Sequence, residues 1–234
     1  MLKITQDALE TIANDKIFAN NDIRFVGGTA LSLLINHRLS EDLDFAALEI
    51  NPQEIISMME SYGAVKMPHD TTMADYVSNE GDDIDESYMK FMLDDVKVEF
   101  FVPPFNILEI KNIWNKDNFI LYEKTNVKIS SLNTIFYMKT MAFWNRKKYR
   151  DLFDIYFVLN SGKVGTDKFI SDYLDSNIQY TIENLHKKIQ SINEFSLKKN
   201  DEGLSTLVDK PKSYEWYRSQ IENLIYEEYI KNFY

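Results

Sequence analysis

The stretch that decides the fold reads Phe25-Val26-Gly27-Gly28-Thr29-Ala30-Leu31-Ser32-Leu33-Leu34-Ile35-Asn36-His37-Arg38-Leu39-Ser40-Glu41-Asp42-Leu43-Asp44-Phe45. A short apolar strand from Ile23 to Val26 runs into two glycines. A helix-forming segment, Thr29 to Asn36, follows, and then a second short strand, Leu43 to Ala46, next to two carboxylates. Residues i and i+2 of a strand face the same side, so Asp42 and Asp44 are expected to project together while Leu43 turns to the core. Paired carboxylates suit hard, oxygen-preferring cations such as Mg²⁺ or Mn²⁺. Gly27 and Gly28 let a phosphate approach the backbone, and the helix behind them offers free N–H groups. Taken singly, a double glycine is a turn and an Asp-x-Asp is a solvated loop. In this order, with a helix-length spacer, they are equipment for phosphoryl or nucleotidyl transfer.

Composition narrows the class. The 234-residue chain has no cysteine, which excludes a disulfide frame, a thiolate metal site and a thiol nucleophile. No signal peptide and no membrane-length apolar run is read, so a cytoplasmic protein is expected. Charge is uneven: residues 1–125 hold 10 Lys+Arg against 23 Asp+Glu, and residues 126–234 hold 16 against 14. An acidic front half does not bind nucleic acid by general electrostatics; it needs divalent metal or a basic patch from the second half. The shift in charge suggests a boundary near residue 125, with a catalytic domain over 1–125 and a helical domain over 126–234 that contributes nucleotide- and acceptor-binding residues.

Periodicity predicts a helix over 5–19 and another from Pro52 to about Tyr62. Weak strands are expected near Val65 and Tyr76, and an acidic solvated turn over 80–86. Tyr88–Leu93, Asp94-Asp95 and Val96–Val102 read as a hairpin ended by Pro103-Pro104. A second hairpin is expected over 119–122 and 127–129. Helices follow from Ser130 or Ser131 to Asn145, from Tyr149 to Leu159, and within 167–195 and 213–232, with a polar loop over 198–212.

Metal-assisted transfer ordinarily takes a third acid. Glu99 is the candidate, on a hairpin strand able to lie beside that of Asp44; the alternative is that it pairs with Lys97 or Lys90. Lys139 and Arg146, seven apart, share a helix face. With Lys147, Lys148 and Arg150 they form a basic cluster able to neutralise a leaving pyrophosphate, or else a solvated helix end. Asp151 and Asp154 could pair with Arg146 and Arg150.

Gly27-Gly28-Thr29-Ala30-Leu31, then His37 to Phe45, then Lys139 with Arg146, and Arg150-Asp151-Leu152-Phe153-Asp154, stand in the order of the motifs of the AbiEii/AbiGii toxin family of nucleotidyltransferases, which the chain resembles over roughly residues 20–160. Tyr149, in place of a frequent Pro, and Phe153, in place of a frequent Tyr, depart from that pattern. The resemblance implies an α+β or α/β, polymerase-β-like mixed sheet with flanking helices, followed by a mostly helical domain. It implies Mg²⁺-dependent transfer of a nucleoside monophosphate from an NTP, a cognate antitoxin, links to phage defence, and for some members modification of tRNA acceptor ends. Carried over by motif, Gly27, Gly28, Thr29 and Ser40 would hold the nucleotide with Lys139 and Arg146. Asp42 and Asp44 would hold metal, and Asp151 would complete the site in the part otherwise given to Glu99. RNA would lie along Arg146, Lys147, Lys148 and Arg150. Two rival readings are a nucleotidyltransferase acting on a small-molecule or protein hydroxyl, and an inactive domain that binds NTP or a partner.

Overall fold

Alternation of apolar and polar residues sets the central strands. The computed structural model describes residues 1–69, 83–103, 107–146, 149–176, 179, 181–191 and 204–233. The chain divides into two units, Met1–Ser131 and Leu132–Tyr234.

In the first unit, β1 (Arg24–Val26), β2 (Leu43–Ala46), β3 (Val65–Lys66), β4 (Tyr88–Leu93), β5 (Val96–Phe101), β6 (Ile120–Leu121) and β7 (Lys128–Ile129) form one mixed sheet in the order β3-β4-β5-β2-β1-β7-β6. β2 runs antiparallel to β1 and parallel to β5, with Phe25 opposite Phe45 and Phe45 opposite Phe100. The rings of Phe45 and Phe100 stack at 5.1 Å, and Phe25 and Phe18 meet Phe45 at 5.2 and 5.0 Å. One face of the sheet is thus an aromatic core. The hairpin between β4 and β5 turns through Asp94 and Asp95, both left-handed at φ 47° and 64°. Two such residues make the two-residue turn whose twist matches the strands, and Asp tolerates it.

The helices of this unit are α1 (Lys3–Ile12), α2 (Lys16–Asn20), α3 (Gly27–Ile35), α4 (Pro52–Ser61) and α5 (Ile107–Lys116). The single helix expected over 5–19 is two helices. Asp15 breaks it, because its side chain accepts from the Ile17 N–H at 2.8 Å and starts α2. The expected strand near Tyr76 lies outside the described residues, as do residues 80–82 of the acidic turn. The rest of that turn is a 3₁₀ turn, Ile84–Glu86, and Asp85 is not simply solvated: it ion-pairs with Lys66, and its other carboxylate oxygen lies 2.6 Å from His69 Nε2. α5 is a helix for which no expectation was formed. Its Trp114 is buried under the Arg24 guanidinium at 4.3 Å, and Arg24 also reaches Asp117 at 2.9 Å.

The second unit is helical: α6 (Leu132–Arg146), α7 (Tyr149–Asn160), α8 (Thr166–Asp175), α9 (Ile182–Ser191), α10 (Leu204–Leu207) and α11 (Tyr214–Phe233). The pattern over 167–195 splits because Thr181 caps a new helix, accepting from the Asn184 N–H at 3.3 Å. The short α10 stands inside the segment expected to be a loop, with Leu204 and Leu207 buried. Trp144 packs on Tyr173 at 4.6 Å, and Phe153 on Tyr217 at 5.2 Å.

Phe45 touches three other rings, so Phe45→Ala should cost about 3–5 kcal/mol, read as a lower urea midpoint at unchanged slope.

Candidate active site

The same alternation that turns Phe45 and Phe100 inward puts Asp44 and Glu99 on the other face, directly opposite each other in the ladder. Lys97 lies two residues before Glu99 and shares its face. Its ammonium stands 3.1 Å from Asp42 Oδ2 and 3.3 Å from Glu99 Oε1. The Tyr88 hydroxyl donates to Glu99 Oε1 at 2.6 Å, and Glu99 also hydrogen-bonds the Asp44 side chain. Asp42, Asp44 and Glu99 are therefore gathered at one point. The pairing of Glu99 with Lys97, the alternative to a metal role, is present as well. Burial opposes ionisation of Glu99, but the Lys97 charge and the hydrogen bonds from Tyr88, Asp44 and Lys97 outweigh it and hold its carboxyl below the usual range. Burial and the Glu99 hydrogen bond push the Tyr88 hydroxyl up, so it stays a proton donor.

The glycines lie against this cluster. Gly27 begins α3 at φ 72°, and a Cβ there would stand 2.6 Å from Asp44 Cγ. Only glycine allows both the left-handed backbone and the approach of the carboxylate. A Cβ on Gly28 would strike the Arg38 guanidinium, which is buried and donates to the Leu39 carbonyl at 2.8 Å. The start of α3 thus has a cation beside its free N–H groups.

Thr29 and Ser40 are engaged within the protein. Thr29 Oγ1, fully buried, lies 2.8 Å from Ser40 Oγ and donates to the Asp42 carbonyl. The loop is tied from the other side too: the Leu2 N–H donates to the Ser40 carbonyl at 3.1 Å, and the Thr5 hydroxyl to that of Glu41 at 2.9 Å. These bonds fix where Asp42 emerges.

In the second unit the Lys139 ammonium bridges Asp151 at 3.3 Å and Asp154 at 2.9 Å, joining α6 to α7. Both carboxylates are at most 1 % exposed. Lys139 is thus a cation on both acids, for which Arg146 and Arg150 were possible partners. The calls on Lys147 and Lys148 lie outside the described residues, as does the side chain of Arg146; Arg150 is half-buried. Sequence reasoning left Arg38, Tyr88 and α5 without a role. Lys97 and Glu99 at i and i+2 were the available signal for a shared face. A groove of about 610 Å³ between α2 and α4, lined by Asp15, Lys16, Asn20, Gln53 and Glu54, is not lined by any of these residues.

A mixed sheet with Asp42 just before β2, Asp44 on it, Glu99 on β5 and a glycine turn into a helix is the arrangement expected of a nucleotidyltransferase. The profile of the family described as "Nucleotidyl transferase AbiEii toxin, Type IV TA system" matches residues 9–219, and the chain belongs to that family. Among solved structures the chain is similar to MenT4, a nucleotidyltransferase toxin from Mycobacterium tuberculosis. The TM-score is 0.53 at 13% identity, over 96% of this chain and 84% of that one. No curated protein matches the chain. The expected fold class stands, and the protein is a nucleotidyltransferase of a toxin–antitoxin family. No helix among the described residues is long and apolar enough to cross a membrane.

Gly27→Ala should cost about 1–2 kcal/mol from the left-handed backbone alone and displace Asp44, seen as a lower Tm together with lost transfer. Lys139→Met removes the ammonium from two buried carboxylates. It should destabilise by about 3–5 kcal/mol in urea titrations, so its activity has to be compared at equal folded fraction.

Proposed function

We propose that the protein transfers a nucleoside monophosphate from an NTP to a hydroxyl of RNA, at a tRNA acceptor end, releasing pyrophosphate, and that a cognate antitoxin restrains it in the cytoplasm. The observation that carries this reading is the convergence of Asp42, Asp44 and Glu99 beside Gly27.

Among the described residues no group of three acids or histidines is preformed to hold a metal ion, since the carboxylates are drawn onto Lys97 and Tyr88. The donor chemistry nonetheless fits Mg²⁺ or Mn²⁺: three carboxylates, oxygen ligands only. Asp42, Asp44 and Glu99 would hold the ion, which when bound offsets charge developing on the phosphoryl oxygens. Because Glu99 is held in its ionised form, it suits a cation ligand better than a proton acceptor. The N–H groups at the start of α3 cradle phosphate oxygens, with the Arg38 guanidinium adding positive charge. Thr29 and Ser40 serve the nucleotide by bracing the loop that presents Asp42. The acceptor hydroxyl gives its proton to a carboxylate of the site as its oxygen attacks the α-phosphorus in line, and the bond to the leaving pyrophosphate oxygen breaks. From the second unit, Lys139 is proposed for the nucleotide and Asp151 for completing the site. Arg146, Lys147, Lys148 and Arg150 are proposed for RNA phosphates, which position an acceptor without reading its sequence.

The experiment is incubation with each α-labelled NTP, Mg²⁺ and total RNA, followed by gel and mass analysis. Label should enter an RNA band that ribonuclease removes. Label in protein or in a small product would instead support the rival acceptors, and no transfer at all would support the inactive domain. Asp42→Asn and Asp44→Asn should each lower transfer by at least about a hundredfold with unchanged circular dichroism; near-normal turnover of either would remove the metal assignment.

A further inference from the structure

We propose that Lys97 is a resident counter-cation of the carboxylate cluster, and that a divalent metal enters by displacing it. The proposal rests on the metal reading of the site and adds a residue to which that reading gives no part. β5 buries Val96, Val98 and Phe100 and turns Lys97 and Glu99 to the opposite face. The Lys97 ammonium lies within 3.1 Å of Asp42 and 3.3 Å of Glu99. A divalent ion on this cluster needs the same carboxylates as ligands. An ammonium and a dication that share those carboxylates repel one another, so the two occupy the cluster in turn. Lys97 is suited to leave: its charge rides on a flexible four-carbon stem, and about a third of the side chain (34 %) is exposed. Asp42, Asp44 and Glu99 crowd together, and the Lys97 ammonium sits on two of them, Asp42 and Glu99.

The test is calorimetric titration of the full chain with Mn²⁺ alone, for wild type, Lys97→Met, Lys97→Gln, Lys97→Arg and Asp42→Asn. Loss of the competing charge should tighten Mn²⁺ binding about tenfold in the Met and Gln variants, whereas Arg, which keeps the charge, should stay within about twofold of wild type. Thermal unfolding supplies a second readout: at one high Mn²⁺ concentration the Tm of Lys97→Gln should rise by more than that of wild type, because stabilisation of the native state grows with the logarithm of its affinity. Equal or weaker binding by both neutral variants, or an equal rise in Tm, overturns the displacement while the metal reading stands. Mn²⁺ binding absent from every protein, or unaffected by Asp42→Asn, overturns the metal reading and the proposal with it.

Discussion

Register between β2 and β5 is the constraint on which the site depends. With Phe45 opposite Phe100, Asp44 is opposite Glu99 on the other face. A shift of one residue would carry the carboxylates into the aromatic core and the rings to the opposite side. The stacked rings therefore do more than fill volume: they select the alignment that brings the acids together. Core and chemistry are two faces of one ladder, with Phe45 and Phe100 buried on one side and the acids gathered on the other.

Much of this was legible in the chain because it is local. The alternation in Val96–Phe101, the left-handed Asp94-Asp95 turn and the glycines before a helix are patterns of a few residues whose physics needs no partner. Even the adjacency of Glu99 and Asp44 follows once both strands are placed in one sheet. What was not legible depends on tertiary contacts. The break at Asp15 requires knowing that a side chain outcompetes helix continuation. α5 carries Ile110 and Trp114 at helical spacing, but the signal is short, and its anchor is Arg24 on a strand far away in sequence. Nor does sequence reveal that Thr29 and Ser40, both hydroxyls expected to hold the nucleotide, are turned inward to hold the Asp42 loop.

Charge is handled differently in the two units. On the sheet the Lys97 ammonium, on a side chain about a third exposed, is shared by Asp42 and Glu99. In the helical unit Lys139 is sealed between Asp151 and Asp154, away from solvent. An ion pair of that kind costs desolvation and tolerates no loss of a partner, which makes it a device for fixing how α6 and α7 pack. A motif residue can thus be indispensable through the fold it maintains as much as through any ligand it touches.

The three acids also come from distant parts of the chain. Asp42 and Asp44 are complete by β2, yet Glu99 arrives only with β5, and a parallel pairing requires the whole crossover between them. Such non-local contacts form late, because loop closure must precede them. During synthesis a nascent chain that ends before residue 99 lacks the third acid, however much of its first helices has condensed. In a family of toxins, this ordering means that a chain ending before residue 99 carries Asp42 and Asp44 without the acid that faces them across the ladder.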